Sequence, residues 1–84
     1  MQVIWTQHAE QRLLEWSRKR GVTREQVEAV VVSPEQIVAG HGGLQVAQTR
    51  SDQGLLRVPF FEVEGGRKIV TVYWTSQTRR YWRA

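Results

Sequence analysis

His8 and Arg12 stand four apart in an unbroken run of helix-forming residues, so they share one helix face. A histidine can take a proton from a hydroxyl while an arginine one turn away holds a phosphate. The same two residues also fit an ordinary surface stripe, continued by Glu15 and Lys19 and laced by ion pairs. Arg57 is the one cation inside the long apolar run Leu55–Val63. On a strand it shares a face with Leu55, Pro59 and Phe61, and the following strand offers Thr71 and Tyr73. That face reads either as a polar patch walled by aromatics or as an inward charge that discourages edge pairing. Arg79, Arg80, Tyr81, Trp82 and Arg83 then form a basic, aromatic tail.

Other chemistries find little support. His41 lies in Gly40-His41-Gly42-Gly43, which lacks the phosphate-loop pattern and does not lead into a helix, so it reads as a hairpin loop. Two histidines and no cysteine are too few for a familiar zinc site and exclude disulfides and Cys-based metal centres. There is no GxSxG and no thiol nucleophile. No metal and no other cofactor is expected.

The charge sits at one end. The formal net charge is +4, yet residues 1–64 hold all eight acids against seven basic side chains. Arg67, Lys68, Arg79, Arg80 and Arg83 follow with no acid among them. Most of the basic residues are arginines, which grip phosphate bidentately and stack on bases. Interleaved with Tyr73, Trp74, Tyr81 and Trp82 they suit RNA, whose phosphates and unstacked bases are contacted together. The competing reading is a solvated edge protected by charge, with the aromatics packed inward.

The elements that must position these residues follow from pattern. With 84 residues, 40% hydrophobic and 24% charged, the chain is expected to be a single globular domain over 1–84 rather than a fibre or a disordered tail. It opens on Met1 and reads as a whole small protein without a signal peptide. No apolar run approaches the roughly 20 residues of a spanning helix, so no membrane association and a cytoplasmic location are expected. Thr6 is a helix N-cap, Gln7–Arg20 a helix, and Gly21 its stop. Thr23 and Gln26 form a capping box for a second helix that ends before Pro34. Short strands are expected at Gln36–Ala39, Leu44–Arg50, Leu55–Val63, Ile69–Thr75 and Arg79–Arg83, with turns at Ser51–Gly54 and Glu64–Gly66. Pro59 calls for a bulge or an edge position. The order gives an α+β domain, two N-terminal helices on one face of a three- to four-stranded antiparallel sheet.

Several of these segments together resemble a known family. Trp5-Thr6-x-His8-Ala9-x-x-Arg12-Leu13, Arg20-Gly21-Val22-Thr23, Ser33-Pro34, Leu56-Arg57-Val58, Thr71-Val72-Tyr73-Trp74-Thr75-Ser76 and Arg80-Tyr81-Trp82 resemble short proteins with an HA-x-x-R motif. That family is similar to the RelE/ParE superfamily of toxin–antitoxin toxins, with BrnT-type toxins among its nearer relatives. The resemblance implies a curved antiparallel sheet under the helices. It also implies a metal-independent ribonuclease acting on RNA, often ribosome-associated mRNA, and a cognate antitoxin protein as partner. ParE-type relatives poison gyrase instead, so fold alone does not name the target. The expected catalytic residues are His8 as base, Arg12 and Arg57 on the phosphate, and Arg80 with Tyr81 as positioning or acid groups. Lys19, Arg67, Lys68, Tyr73, Arg79, Trp82 and Arg83 are the expected RNA-binding residues. The alternative is a non-catalytic RNA- or protein-binding module of the same fold.

Overall fold

Thr6 starts the first helix. In the computed structural model, which describes residues 1–84, its hydroxyl accepts from the Ala9 amide and donates to the Ile69 carbonyl, tying the helix start to the sheet. Helix α1 spans Gln7–Arg20 and ends at Gly21, whose φ of 68° is the left-handed turn that glycine adopts without strain. The Thr23–Gln26 capping box is present in both directions and opens helix α2, Arg24–Val32. Ala9, Leu13, Val27, Val30 and Val31 turn inward from the two helices.

Six strands make one mixed sheet: β1 Gln2–Trp5, β2 Gln36–Ala39, β3 Gln45–Ser51, β4 Gly54–Val63, β5 Gly66–Ile69 and β6 Tyr73–Thr75. Along the sheet the order is β1-β5-β4-β3-β2, with β6 also paired to β4. A short 3-10 turn at His41–Gly43 joins β2 to β3, and a one-turn helix α3, Thr78–Tyr81, lies near the C-terminus. The helices cover one sheet face, where Ala47, Leu56, Val58, Phe60, Ile69 and Val72 complete the core.

The α+β class and the two helices agree with the sequence reading; the sheet differs from it. It is six-stranded and mixed rather than three- to four-stranded and antiparallel, because Gln2–Trp5 pairs in parallel with β5. The expected strand Ile69–Thr75 is two strands broken at residues 70–72, both lying against β4. Pro59 explains the break. Its carbonyl accepts from Val70 N, so its missing N–H faces the same side, where β4 has no ladder partner to lose. Arg79–Arg83 is not a strand either: Thr78–Tyr81 coils and carries the tail back across the sheet. Gly54 permits that arrangement at the start of β4. A Cβ there would stand 2.3 Å from the Thr75 carbonyl oxygen and 2.5 Å from Trp74 Cζ2. No helix is long and apolar enough to cross a membrane.

Candidate functional site

The sheet face away from α1 and α2 carries Val46, Gln48, Leu55, Arg57 and Pro59. Register places four polar side chains in one row across it. Gln36 on β2 pairs with Gln48 on β3, Gln48 with Arg57 on β4, and Arg57 with Tyr73 on β6. A chain of hydrogen bonds runs along the row. Gln48 Nε2 donates to Gln36 Oε1 at 2.8 Å, Arg57 Nε donates to Gln48 Oε1 at 2.9 Å, and Arg57 Nη1 donates to the Tyr73 hydroxyl.

The C-terminal segment closes over the row. The Tyr81 carbonyl accepts from Gln48 Nε2 at 2.9 Å, and Gln36 bonds the backbone N–H and C=O of Arg83. Trp82 is held by Arg50, whose guanidinium lies 4.2 Å from its ring centre. Between this segment and the β2–β3 turn opens a cleft of about 440 Å³. Arg57 forms its floor, His41 one rim, and Tyr73, Arg80, Tyr81 and Arg83 the other polar walls. Val38, Leu44, Val46 and Pro59 supply apolar surface. The volume is in the usual range for small-ligand clefts.

The cleft has no carboxylate in its lining. Arg57 is only 6% exposed, yet none of the four ion pairs in the chain involves it. Buried charges are normally paired, because removing them from water is expensive. Here the partners are neutral: an amide oxygen, a phenol, and the face of Tyr81, 3.9 Å from the guanidinium carbon. Nη2 has no protein partner. Burial pushes the Tyr73 phenol above its ordinary value; the Arg57 guanidinium pulls the other way without prevailing, and Tyr81 adds a further upward push. Tyr73 is therefore a neutral phenol at neutral pH.

Of the residues singled out in the sequence, Arg57, Tyr73, Arg80, Tyr81 and Arg83 line this one cleft, with Trp82 beside it. His8 and Arg12 do not. Both lie on α1, which packs on the opposite sheet face; His8 is exposed, and Arg12 pairs with Glu15 at 2.7 Å. They cannot join Arg57 in one site in this fold. Arg67 bonds Glu62 and the Val31 carbonyl and so serves the packing of α2. Lys19 lies 5.1 Å from the Trp16 ring, while Lys68 and Arg79 are exposed outside the cleft. Every tryptophan faces a cation of the chain itself: Trp5 with Arg24, Trp16 with Lys19, Trp74 with Arg20 and Trp82 with Arg50. The basic–aromatic interleaving thus resolves largely into internal contacts, and the tyrosines carry the aromatic surface of the cleft.

Sequence reasoning missed His41, which it read as part of a passive loop. Its signal was a lone ionisable side chain among glycines, on a surface connection where functional groups concentrate. It also missed Gln48, whose signal was a polar residue in the apolar phase of β3. No three His, Cys, Asp or Glu side chains cluster as metal donors. The chain matches no family model, no curated protein and no solved structure.

Proposed function

We propose that this cleft binds a phosphodiester of single-stranded RNA and cleaves it by attack of the ribose 2′-hydroxyl on the adjacent phosphorus. One observation carries the reading: a buried guanidinium at the bottom of an acid-free cleft, satisfied only by neutral partners. Arg57 Nη2 meets a non-bridging phosphate oxygen and stabilises the charge that grows there. Arg80 and Arg83 hold the flanking backbone. His41, rather than His8, takes the 2′ proton, and Tyr81 gives a proton to the departing 5′-oxygen. The O2′–P bond forms as the P–O5′ bond breaks, leaving a 2′,3′-cyclic phosphate and a 5′-hydroxyl. A recessed Arg57 favours a flexible single strand, since a duplex cannot bend one phosphate into the floor.

This reading agrees with a toxin-like protein of the RelE/ParE kind, working on RNA in the cytoplasm and restrained by an antitoxin. The test is induced expression in a bacterial host with mapping of RNA 5′ ends, paired with purified chain and labelled single-stranded RNA in a chelating buffer. Growth arrest with discrete new ends and cyclic-phosphate products in vitro is expected. Intact RNA in both settings, with soluble folded protein, rejects cleavage. Salt-sensitive RNA binding that persists without cleavage then selects the non-catalytic module, which the same Arg57 arrangement serves without a proton-transfer group.

A further inference from the structure

Gln48 is fully buried, and both ends of its amide are used. Its oxygen accepts from Arg57 Nε on the cleft floor. Its nitrogen donates to the Tyr81 carbonyl in the wall and to Gln36, which in turn clasps Arg83. One side chain therefore connects the group at the floor to the segment that roofs it.

We propose that the Gln48 amide positions Arg57 for an incoming phosphate and couples that position to docking of the C-terminal segment. The inference rests on the reading that Arg57 receives a phosphate. An amide suits this task where a carboxylate does not. Glutamate in the same place would pair with Arg57 and cancel its charge, and it would present an oxygen to the Tyr81 carbonyl in place of a donor. Glutamine holds the guanidinium through Nε, leaves Nη2 without a protein partner, and keeps the full positive charge. Gln48 touches no ligand in this scheme; it acts through Arg57.

The test uses the full chain and a fluorescein-labelled single-stranded RNA oligonucleotide, with affinity read across a salt series. Gln48→Glu is expected to stay folded and to bind at least tenfold more weakly. Its log–log salt slope should fall by about 0.7, the loss of one phosphate contact on a single strand. Gln48→Met keeps the volume and the Arg57 charge, so it should bind several-fold more weakly with the slope unchanged. The double variant Gln48→Glu/Arg57→Met should keep the salt slope of Arg57→Met alone, since the phosphate contact that the glutamate cancels is already gone. A purely structural Gln48 would shift the melting temperature and leave slope and coupling untouched. In the unaltered chain, the Arg57 Nε–H resonance should exchange slowly with solvent and move on titration with the oligonucleotide. A rapidly exchanging Nε–H overturns the proposal whether or not the variants fold. Wild-type affinity in folded Gln48→Glu overturns it when Arg57→Met binds weakly. Wild-type affinity in Arg57→Met removes the phosphate reading beneath it.

Discussion

Arg57→Met separates a binding arginine from a structural one. Methionine is shorter than arginine but unbranched and apolar, so it fills part of the same space while removing the charge and every donor. Two effects on stability oppose each other. Burying a guanidinium without a counter-ion costs several kcal/mol even after relaxation, and that cost disappears. Gln48 Oε1 loses its donor, which costs about 1–3 kcal/mol for a buried acceptor. The terms are of similar size, so the net change should lie within about 2 kcal/mol. At about 4–8 °C per kcal/mol for a domain of this length, the melting temperature should move by less than about 15 °C in either direction. Binding has no such compensation. A hydrogen bond to a charged group contributes about 1.5–3 kcal/mol, so affinity for single-stranded RNA should fall about 10- to 100-fold. Thermal unfolding by circular dichroism and fluorescence anisotropy on the same preparation read both quantities. Wild-type affinity in the folded variant refutes the reasoning. So does a loss of 3–5 kcal/mol, the signature of breaking a buried pair, since Arg57 would then be held by the fold rather than kept for a ligand.

Burial raises the Tyr73 phenol above the ordinary value of 10.0, so the folded state holds its proton more tightly than the unfolded chain does. The stability from that difference is present below pH 10 and is lost as pH rises through the folded value. Tyr73→Phe should therefore show a shallower alkaline fall in stability, and ultraviolet tyrosinate titration of the unaltered chain should contain a late component that the variant lacks. An identical alkaline limb in both proteins contradicts the burial assignment. His41→Ala is expected to reduce cleavage at least 100-fold with RNA affinity within threefold of wild type, whereas His8→Ala should leave both intact. The reverse pattern in product-formation assays would return the base to α1. Gly54→Ala drives a Cβ to 2.3 Å from the Thr75 carbonyl and should cost at least about 1–3 kcal/mol, read as a lower denaturant midpoint. An unchanged midpoint would mean that β6 yields freely.

What the sequence made legible was local. Thr6, Gly21 and the Thr23–Gln26 pair announce the helices because capping is settled by residues three or four apart, and each cap is made. β1 was invisible for the opposite reason. Its four residues find their partner in β5 near the other end of the chain, and no local pattern encodes a long-range parallel pairing. Pro59 is visible in the sequence, but its effect falls on the neighbouring strand, which breaks into β5 and β6. Thr78–Tyr81 is too short for a 3.6-residue period to be told from alternation. The same division runs through the site. Alternation placed Arg57 and Tyr73 on one face, and the tail supplied Arg80, Tyr81 and Arg83. Only the three-dimensional arrangement could show that α1 takes His8 and Arg12 to the other side of the sheet, or that a glycine-rich turn brings His41 to the rim.

The distribution of carboxylates gives the cleft its strongest argument. Glu10, Glu15, Asp52 and Glu62 pair with Arg24, Arg12, Arg20 and Arg67, in bridges whose acidic partners are 45–71% exposed. Exposed pairs of that kind contribute at most about 1 kcal/mol each. The arginine that would gain most from a carboxylate is Arg57, because its charge is the one most removed from water, and it has none. For stability alone the placement is inverted: acids sit where pairing matters little and are missing where it matters most. Neutral hydrogen bonds keep the guanidinium oriented without cancelling its field, and the open Nη2 leaves a place for one more acceptor. On the reading proposed above, an external anion entering the cleft completes the missing pair, and its binding free energy draws on a desolvation cost that folding has already met.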